Sequence, residues 1–271
     1  MKIGIFDSGL GGLFLMKPVV EALPAYDYVY FGDTKNLPYG DKSQEEIYIY
    51  TKRALDYLFK KGVGVVFIFC NTASTATLRR LQQEGYRALG VIIPTVETIL
   101  TSVPSHDRRR EQKLRIGVLA TQSTVDSGKY PVEIKKLLPK AKVFQQATPL
   151  LVPMIESGNI DEEIIKNYLN EIITKKIDTL ILGCTHYVIL KDMIRKLLPG
   201  VQVISQDEII PAKVADYLRR HPEIETKLSR RGRRDYLVTA HHPRLEHFGY
   251  LDRALFRLVV LHDGDNGTPN R

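Results

Sequence analysis

The fold class is predicted chiefly from two stretches of the sequence, VVFIFCNTAST (residues 65–75) and DTLILGCTHYV (residues 178–188). Each contains a short apolar run that ends at one of the chain's only two cysteines, Cys70 and Cys184, and small polar residues follow directly. This pattern is typical of a buried strand that opens into a loop or a helix start. We therefore expect each thiol at the carboxyl end of a strand, where open α/β sheets bind their ligands. The two matched settings suggest two acid–base groups that act on one substrate from opposite sides.

The surroundings of the two cysteines form an internal repeat. Strand patterns alternate with helix patterns along the chain, which predicts parallel, doubly wound sheets. Gly4 in KIGIFDSG corresponds to Gly117 in RIGVLATQ, 113 residues later, and Cys70 corresponds to Cys184, 114 residues later. The nearly constant spacing predicts an α/β protein with two pseudo-symmetric doubly wound parallel-sheet domains. The active site is expected in the cleft between them, because clefts between domains favour small-molecule sites.

The domain boundaries follow from this repeat. We expect residues 1–96 and about 207–271 to form the first domain, with residues 97–206 forming the second. The C-terminal segment is assigned to the first domain because that domain otherwise lacks partners to complete its sheet. Within this segment the pattern predicts a strand at residues 236–240, an amphipathic helix at residues 245–260 and a disordered end.

Local signals add three expectations about individual elements. Ser43 with Glu46 three residues later predicts a helix that starts with a capping box. The run ALGVII at residues 88–93 predicts a strand that Pro94 ends, with a helix from Val96. The segment PLLVPMIESG at residues 149–158 is interpreted as a loop with a partly apolar body.

Composition narrows the class of protein. The chain has 271 residues, of which 44% are apolar, so it can form a substantial core. No apolar run is long enough to span a bilayer, and the N-terminus does not resemble a signal peptide. We therefore expect a cytoplasmic protein with reduced thiols and no membrane partner. The net charge of +8 is concentrated in basic clusters at residues 108–110 and 227–234. These clusters lack the interleaved aromatic residues of a nucleic-acid site, so no nucleic-acid partner is expected and solvated surface is favoured.

The two cysteines have the properties that a difficult proton abstraction requires. A carbon acid beside a carboxylate needs a strong base on one face and an acid on the other. Cys70 and Cys184 each precede a predicted helix start, where free backbone N–H groups favour negative charge and lower the pKa of a thiol. The competing interpretation of a strand cysteine is buried apolar filler. The matched positions in the repeat favour function.

Six segments resemble the glutamate racemases, which are cofactor-independent two-cysteine enzymes of peptidoglycan precursor supply. The matching segments are FDSGLGG, YFGDTKNLPYGDKS, CNTAS, IGVLATQSTVDSG, LLVPMIESG and IDTLILGCTHY, which run from residue 6 to residue 187. The resemblance implies an isomerase that interconverts L- and D-glutamate by two-base proton transfer at Cα. It also implies no cofactor, no metal and a homodimer.

The resemblance also implies roles for individual residues. Cys70 and Cys184 would exchange the Cα proton, Asp7 and His186 would assist them, and Glu156 is a further acid–base candidate. The residues implied to bind substrate are Asp7, Ser8, Asp33, Tyr39, Gly40, Asn71, Thr72, Thr121, Thr124, Thr185 and His186. Several of these residues have a structural alternative. Those alternatives are Asp7 as a turn cap, His186 as a packing residue at a helix start, Glu156 as the border of a loop end, Thr121 and Thr124 as turn formers, and Tyr39 as a packing residue.

Several other functions compete with this one. A dinucleotide fingerprint would need glycine at position 14, which is Phe14. A thiol redox enzyme would need closely spaced cysteines. A metal site at His241, His242 and His247 lacks acidic or thiolate ligands at a recognised spacing. A two-lobed small-ligand binding protein explains the repeat but not the paired thiols. The nearest alternative is a racemase for aspartate or another amino acid, because pocket size is not readable from sequence.

Overall fold

The computed structural model describes residues 1–102, 114–241 and 256–261. The chain forms two units, one comprising Met1–Val91 with Pro211–Arg271 and the other comprising Ile92–Ile210. Each unit contains its own parallel sheet, which confirms the predicted α/β class with two parallel-sheet domains. None of the helices in the described ranges is both long and apolar enough to cross a membrane.

The first unit begins with four strands that alternate with helices. Its elements are β1 (Lys2–Asp7), α1 (Leu13–Ala22), β2 (Tyr28–Gly32), α2 (Gln44–Lys60), β3 (Val63–Ile68), α3 (Asn71–Gln83) and β4 (Ala88–Gly90). Ser43 and Glu46 form the predicted capping box at the start of α2, because each side chain accepts a hydrogen bond from the other residue's backbone N–H. The central strand β1 pairs in parallel with both β2 and β3 and is almost wholly buried.

The second unit repeats this alternation. It contains α4 (Ile92–Ser102), β5 (Arg115–Ala120), α5 (Gln122–Asp126), α6 (Lys129–Leu137), β6 (Lys142–Ala147), α7 (Leu151–Ser157), α8 (Glu162–Ile173), β7 (Thr179–Leu182), α9 (Lys191–Leu197) and β8 (Gln202–Ile204). Helix α10 (Ile210–Arg220) returns the chain to the first unit, which continues with α11 (Pro222–Glu225), β9 (Arg234–Val238) and β10 (Phe256–Leu258).

Strand order shows the repeat directly. The first sheet has the order β10-β9-β2-β1-β3-β4, and the second has the order β6-β5-β7-β8. The strands β2-β1-β3-β4 and β6-β5-β7-β8 therefore correspond one to one, and β9 extends the first sheet by pairing with β2. In both sheets a cysteine comes two residues after the third strand, and that strand adjoins the central one.

The two aligned glycines have the same steric role. A Cβ at Gly4 would lie 2.8 Å from Cγ1 of Val63, and a Cβ at Gly117 would lie 2.9 Å from the Cδ1 atoms of Ile172 and Ile177. Real Cβ atoms do not approach neighbours this closely in a dense core. Glycine at these corresponding positions leaves room for the neighbouring apolar side chains to pack directly against the two central strands, which accounts for this landmark in both halves of the sequence.

Three predictions about local elements were wrong. The predicted loop at residues 149–158 contains α7, and α4 begins at Ile92 instead of Val96. The reason is the same in both cases, because Pro94 and Pro153 lie in the first turn of a helix, where a missing N–H costs nothing. The helix predicted at residues 245–260 is contradicted at residues 256–258, which form β10, while its earlier part lies outside the described residues. The disorder predicted at the C-terminus and the basic cluster at residues 108–110 also lie outside them.

Candidate active site

Cys70 is placed where β3 gives way to α3. It is the N-cap residue of α3, and its Sγ accepts a hydrogen bond from the backbone N–H of Ala73 at 3.4 Å. Its Sγ also lies 3.2 Å from Oγ of Ser8, so the two side chains share a hydrogen bond. The side chain is buried. The sulfur thus faces a helix N-terminus and a hydroxyl, both of which stabilise a thiolate.

Asp7 is the last residue of β1 and is fully buried. Its Oδ1 accepts a hydrogen bond from the backbone N–H of Gly9 at 2.9 Å, which is the turn contact that the sequence offered as the structural alternative. Gly12 leaves the space that the carboxylate occupies, since a Cβ there would lie 2.6 Å from Cβ and 3.1 Å from Oδ2 of Asp7. Burying a carboxylate costs free energy unless the group is well hydrogen-bonded, so the presence of Asp7 at a fully buried position is consistent with a chemical role.

Asp33 and Tyr39 form a second polar cluster of the first unit. The Tyr39 hydroxyl donates to Oδ2 of Asp33 at 2.6 Å, and Asn36 and Thr239 also donate to the same carboxylate. Burial, reinforced by the Asp33 charge, raises the pKa of Tyr39 well above its usual value. Cys70 and Asp7 contribute smaller electrostatic effects of the same sign, which places the Tyr39 hydroxyl in the electrostatic surroundings of both groups.

Cys184 is placed in the second unit as Cys70 is in the first, between β7 and a 3-10 helix at Thr185–Leu190. Its Sγ lies 3.7 Å from Nδ1 of His186, and Nε2 of that ring lies 2.5 Å from Oε1 of Glu156 on α7. All three side chains are buried or nearly so. The sequence places Cys184 and His186 two residues apart, and the fold adds the carboxylate from 30 residues upstream.

The charge state of His186 follows from these contacts. Burial opposes the charged ring, but the hydrogen bonds and charges of Cys184 and then Glu156 outweigh it. Together they hold the pKa of His186 well above its usual value. The imidazolium form donates from both nitrogens, toward the carboxylate on one side and the sulfur on the other. The arrangement therefore places a proton donor beside the Cys184 thiol.

Two buried tyrosines, Tyr130 and Tyr187, lie near Cys184. Tyr187 shares a 2.5 Å hydrogen bond with Oγ1 of Thr148, and the Tyr130 hydroxyl accepts from Nε2 of Gln206 at 3.3 Å. Burial raises the pKa of both tyrosines, and the charge of Cys184 adds to the effect. Both phenols thus stay neutral, so neither competes as a base with the thiol.

The remaining sequence-predicted residues fall at the starts of helical segments. Thr121 is the N-cap of α5 and its hydroxyl donates to Oγ1 of Thr124 at 3.1 Å. The other members of this group are Asn71 and Thr72 in the first turn of α3, Gly40 in the 3-10 turn Tyr39–Asp41, and Thr185 beside Cys184. Backbone N–H groups and hydroxyls at helix starts are suited to carboxylate binding.

Within each unit the structure therefore brings the predicted residues into small groups. The first unit joins Ser8 with Cys70 and Asp33 with Tyr39, whereas the second joins Cys184, His186 and Glu156. In the described ranges, no group of three or more His, Cys, Asp and Glu side chains is arranged to hold a metal ion. His241 is exposed, and the other two histidines of that alternative lie outside these ranges.

The sequence analysis did not identify the residues that hydrogen-bond to Asp33 and Tyr187 and hold these two side chains in place. Asn36 and Thr239 anchor Asp33, and Thr148 anchors Tyr187. Asn36 lies three residues after Asp33 in the segment YFGDTKNLPYGDKS, so its proximity to Asp33 was available as a signal. Thr148 directly follows β6, which gives it a strand-end position like those of the two cysteines. Thr239 offers no such signal, because it reaches Asp33 from 206 residues away.

Comparison with known proteins agrees with this geometry. The sequence profile of the Asp/Glu/hydantoin racemase family matches residues 3–210. A glutamate racemase of Aquifex aeolicus (strain VF5) is 42% identical over 81% of this chain and 84% of its own, and one of Persephonella marina (strain DSM 14350 / EX-H1) is 38% identical over 91% of both. The crystal structure of a glutamate racemase from Francisella tularensis in complex with D-glutamate superposes with a TM-score of 0.83. That match covers 96% of this chain and 97% of the other, at 30% identity.

Proposed function

Because the chain belongs to the Asp/Glu/hydantoin racemase family, we propose that it interconverts L- and D-glutamate by proton exchange at Cα. It is an amino-acid racemase, and thus an isomerase. The observation that carries the proposal is the matched placement of its two thiols. Each follows the third strand of its own sheet, and each meets polar or ionisable side chains.

The proposed reaction uses one thiol as base and the other as acid. A thiolate takes the Cα proton, so an S–H bond forms as the C–H bond breaks, and the electron pair is delocalised into the adjacent carboxylate. The second thiol then gives its proton to the opposite face of Cα and becomes the thiolate. No atom or electron is gained or lost overall. The thiol and the thiolate have exchanged places, and exchange of protons between the two sulfurs and solvent restores the starting form for the next turnover in the same direction.

The neighbouring residues support the two thiols in different ways. We assign the acid–base steps to Cys70 and Cys184, with Asp7 assisting the first and His186 the second. Cys184 and Glu156 together raise the pKa of His186 above its usual value, with Glu156 bound to the second ring nitrogen. Substrate binding is assigned to the side chains and backbone N–H groups of Asp7, Ser8, Asp33, Tyr39, Gly40, Asn71, Thr72, Thr121, Thr124, Thr185 and His186.

The cellular role follows from the product. We propose that the enzyme works without a cofactor in the cytoplasm, as a homodimer, and that its D-glutamate supplies peptidoglycan synthesis. Glutamate is favoured over aspartate as the substrate because the relatives described above are glutamate racemases at 38–42% identity. Sedimentation equilibrium tests the dimer, and a single monomeric species would contradict that part of the proposal.

The reaction is tested by incubating the purified enzyme, free of pyridoxal phosphate, with L-glutamate in deuterated water. We expect optical activity to decay to zero while deuterium enters Cα, as measured by circular dichroism and proton NMR. A parallel incubation with L-aspartate separates the two substrates. Exchange with aspartate and none with glutamate would transfer the assignment to an aspartate racemase.

The two-thiol mechanism is tested by replacing one sulfur at a time. Cys70→Ser and Cys184→Ser should each lower kcat for racemisation by several orders of magnitude, because a serine hydroxyl is a far weaker acid than a thiol. Thr226 is exposed, so Thr226→Ser serves as the control for expression and purification of a variant and should leave kcat unchanged. Full activity in either cysteine variant would refute the mechanism while leaving the substrate assignment intact.

A further inference from the structure

A hydrogen bond between Tyr187 and Thr148 joins the two segments of the second unit that carry His186 and Glu156. Tyr187 directly follows His186 in the 3-10 helix Thr185–Leu190, and Thr148 lies between β6 and α7, the helix that contains Glu156. The Tyr187 hydroxyl lies 2.5 Å from Oγ1 of Thr148. This bond therefore spans the same two segments as the contact between Nε2 of His186 and Oε1 of Glu156.

The direction of this hydrogen bond follows from a second contact of Thr148. The Thr148 hydroxyl donates to the carbonyl oxygen of Ala120 at 3.1 Å, and the backbone N–H of Thr148 donates to the same oxygen at 3.0 Å. A hydroxyl carries one proton, so Oγ1 of Thr148 accepts its other bond from the Tyr187 phenol. The bonds from Tyr187 through Thr148 to Ala120 thus fasten the 3-10 helix to the end of β5.

Both ends of the Tyr187–Thr148 bond are held by further contacts. Thr148 and Tyr187 are 1% and 0% exposed, so neither hydroxyl is accessible to bulk water. The backbone N–H of Leu151 donates to the Thr148 carbonyl at 3.1 Å, which ties the start of α7 to this position. The backbone N–H of Tyr187 donates to the Cys184 carbonyl at 3.1 Å, which closes the turn that carries the thiol and the imidazole. A displacement of the Tyr187 side chain would therefore be transmitted to that turn.

The first unit contains a corresponding bond. Asp33 directly follows β2 as Thr148 directly follows β6, and the backbone N–H of each donates at 3.0 Å to the last carbonyl of the central strand of its sheet. Each also accepts a hydrogen bond from a buried tyrosine, Tyr39 in the first unit and Tyr187 in the second. The acceptors differ in chemistry, but the bond recurs at the same place in the repeat. The recurrence favours a role at the site over incidental packing of the core.

We propose that Tyr187 and Thr148 are positioning residues of the racemase reaction, whose hydrogen bond holds the His186 ring between the Cys184 sulfur and the Glu156 carboxylate. They act through His186, because Cys184 and Glu156 are the ionisable groups that act on that ring. Loss of the bond lets the 3-10 helix and α7 separate at this point, which lengthens the contact between His186 and Glu156. The inference rests on the proposed function only for its kinetic consequence.

A ¹⁵N-edited NMR titration of the histidine side chains tests the positioning role in the absence of turnover, with the His186 signal identified by its loss in His186→Asn. Thr148→Val keeps the shape of the side chain without its hydroxyl, and should lower the pKa of His186 by roughly half a unit to one unit. Thr148→Ser keeps a hydroxyl and should titrate as wild type does. An unchanged pKa in Thr148→Val, or an equal shift in Thr148→Ser, would overturn the proposal.

Tyr187→Phe removes the donor of the same bond and should lower the pKa of His186 by a similar amount. Because the two hydroxyls act through each other, the double variant Thr148→Val/Tyr187→Phe should shift the pKa no further than either single variant. A shift equal to the sum of the two would show that the hydroxyls act independently and would overturn the proposal.

Two matched controls guard against general effects of packing. Tyr168→Phe removes a phenol hydroxyl from a half-buried position in the same unit, and Thr174→Val repeats the threonine substitution at an exposed position. Both should leave the His186 titration unchanged. A shift in either control as large as that in Thr148→Val would show a general loss of packing and overturn the assignment.

Kinetic measurements connect the position of His186 to the reaction. Thr148→Val and Tyr187→Phe should lower kcat/KM for glutamate roughly tenfold, because a misplaced acid–base group slows proton transfer, and Thr148→Ser should retain the wild-type value. Wild-type kcat/KM in both of the first two variants would overturn the proposal. If the wild-type protein racemised no amino acid but the titrations shifted as expected, the proposed function would fail and the positioning of His186 would stand.

Discussion

Replacement of Glu156 by glutamine should lower the pKa of His186. The Glu156 Oε1 atom lies 2.5 Å from Nε2 of the ring, and the two side chains are 16% and 6% exposed. A hydrogen bond to a charged group contributes about 1.5–3 kcal/mol, which corresponds to roughly one to two pKa units for the ring. Glutamine keeps the shape of the Glu156 side chain but removes its negative charge. Burial, which lowers the pKa of His186, is then opposed by less electrostatic stabilisation of the imidazolium, so the pKa falls.

The change has a defined sign for stability. The folded-state pKa of His186 lies above the value of about 6.5 for an unfolded chain. The stabilisation from its charged form is therefore complete below about pH 6.5 and is lost as the pH rises through the folded-state pKa. Glu156→Gln should thus destabilise the protein more at low pH than at high pH.

The assay is a ¹⁵N-edited NMR titration of the histidine side chains, with the His186 signal assigned by its absence in His186→Asn. Glu171→Gln removes an exposed carboxylate from α8 and serves as the control that should leave the His186 titration unchanged. The reasoning would be refuted if wild-type His186 titrated near 6.5, or if Glu156→Gln titrated at the wild-type pH.

Three further predictions concern the supporting structure. Gly12→Ala should destabilise the protein by about 1–3 kcal/mol and reduce kcat, because the new Cβ would lie 2.6 Å from Cβ of Asp7. Urea unfolding measures the change in stability, and a variant with wild-type stability and wild-type kcat would contradict this prediction. Ser43→Ala should cost about 1 kcal/mol in the same assay by removing the N-cap of α2, with racemisation unaffected. Tyr39→Phe should cost about 1–3 kcal/mol by removing the hydroxyl that donates to Asp33, and an unfolding midpoint equal to wild type would show that water replaces it.

The sequence predicted those parts of the fold that depend on local periodicity. Strands β1 and β3 and the helix start after Cys70 follow from an apolar run that stops at polar residues, and the capping box at Ser43 is a contact between residues three apart. The failures at Pro94 and Pro153 have a local cause as well. Proline is compatible with the first turn of a helix, and a sequence pattern does not distinguish that position from a helix break.

The candidate site was predictable only in part, for a related reason. Cys184 and His186 are adjacent enough in sequence for their contact to be expected. The contact of His186 with Glu156 joins two segments whose spacing depends on how α7 packs, and α7 was itself interpreted as a loop. Likewise, Thr239 meets Asp33 only because β9 pairs with β2, which no periodicity in either segment indicates.

The two thiols, although equivalent in the repeat, lie in chemically unequal surroundings. Cys70 has the Ser8 hydroxyl and a helix N-terminus beside it, with a buried carboxylate at the end of β1. Cys184 has an imidazole that its neighbours keep charged. A change at Asp7 should therefore impair the proton transfer at one face of Cα, and a change at His186 the transfer at the other.

The unequal assistance of the two thiols should show in the separate values of kcat and KM for each enantiomer, and not in kcat/KM. The equilibrium constant of racemisation is one by symmetry, so kcat/KM must be equal in the two directions for every variant. Asp7→Asn and His186→Asn should therefore change kcat unequally for L- and D-glutamate, with compensating changes in KM, and with opposite preferences between the two variants. Circular dichroism progress curves started from each pure enantiomer measure all four constants. Equal loss of kcat in both directions for both variants would show that the two residues do not serve separate faces, because symmetric assistance is the one arrangement that leaves the ratio unchanged.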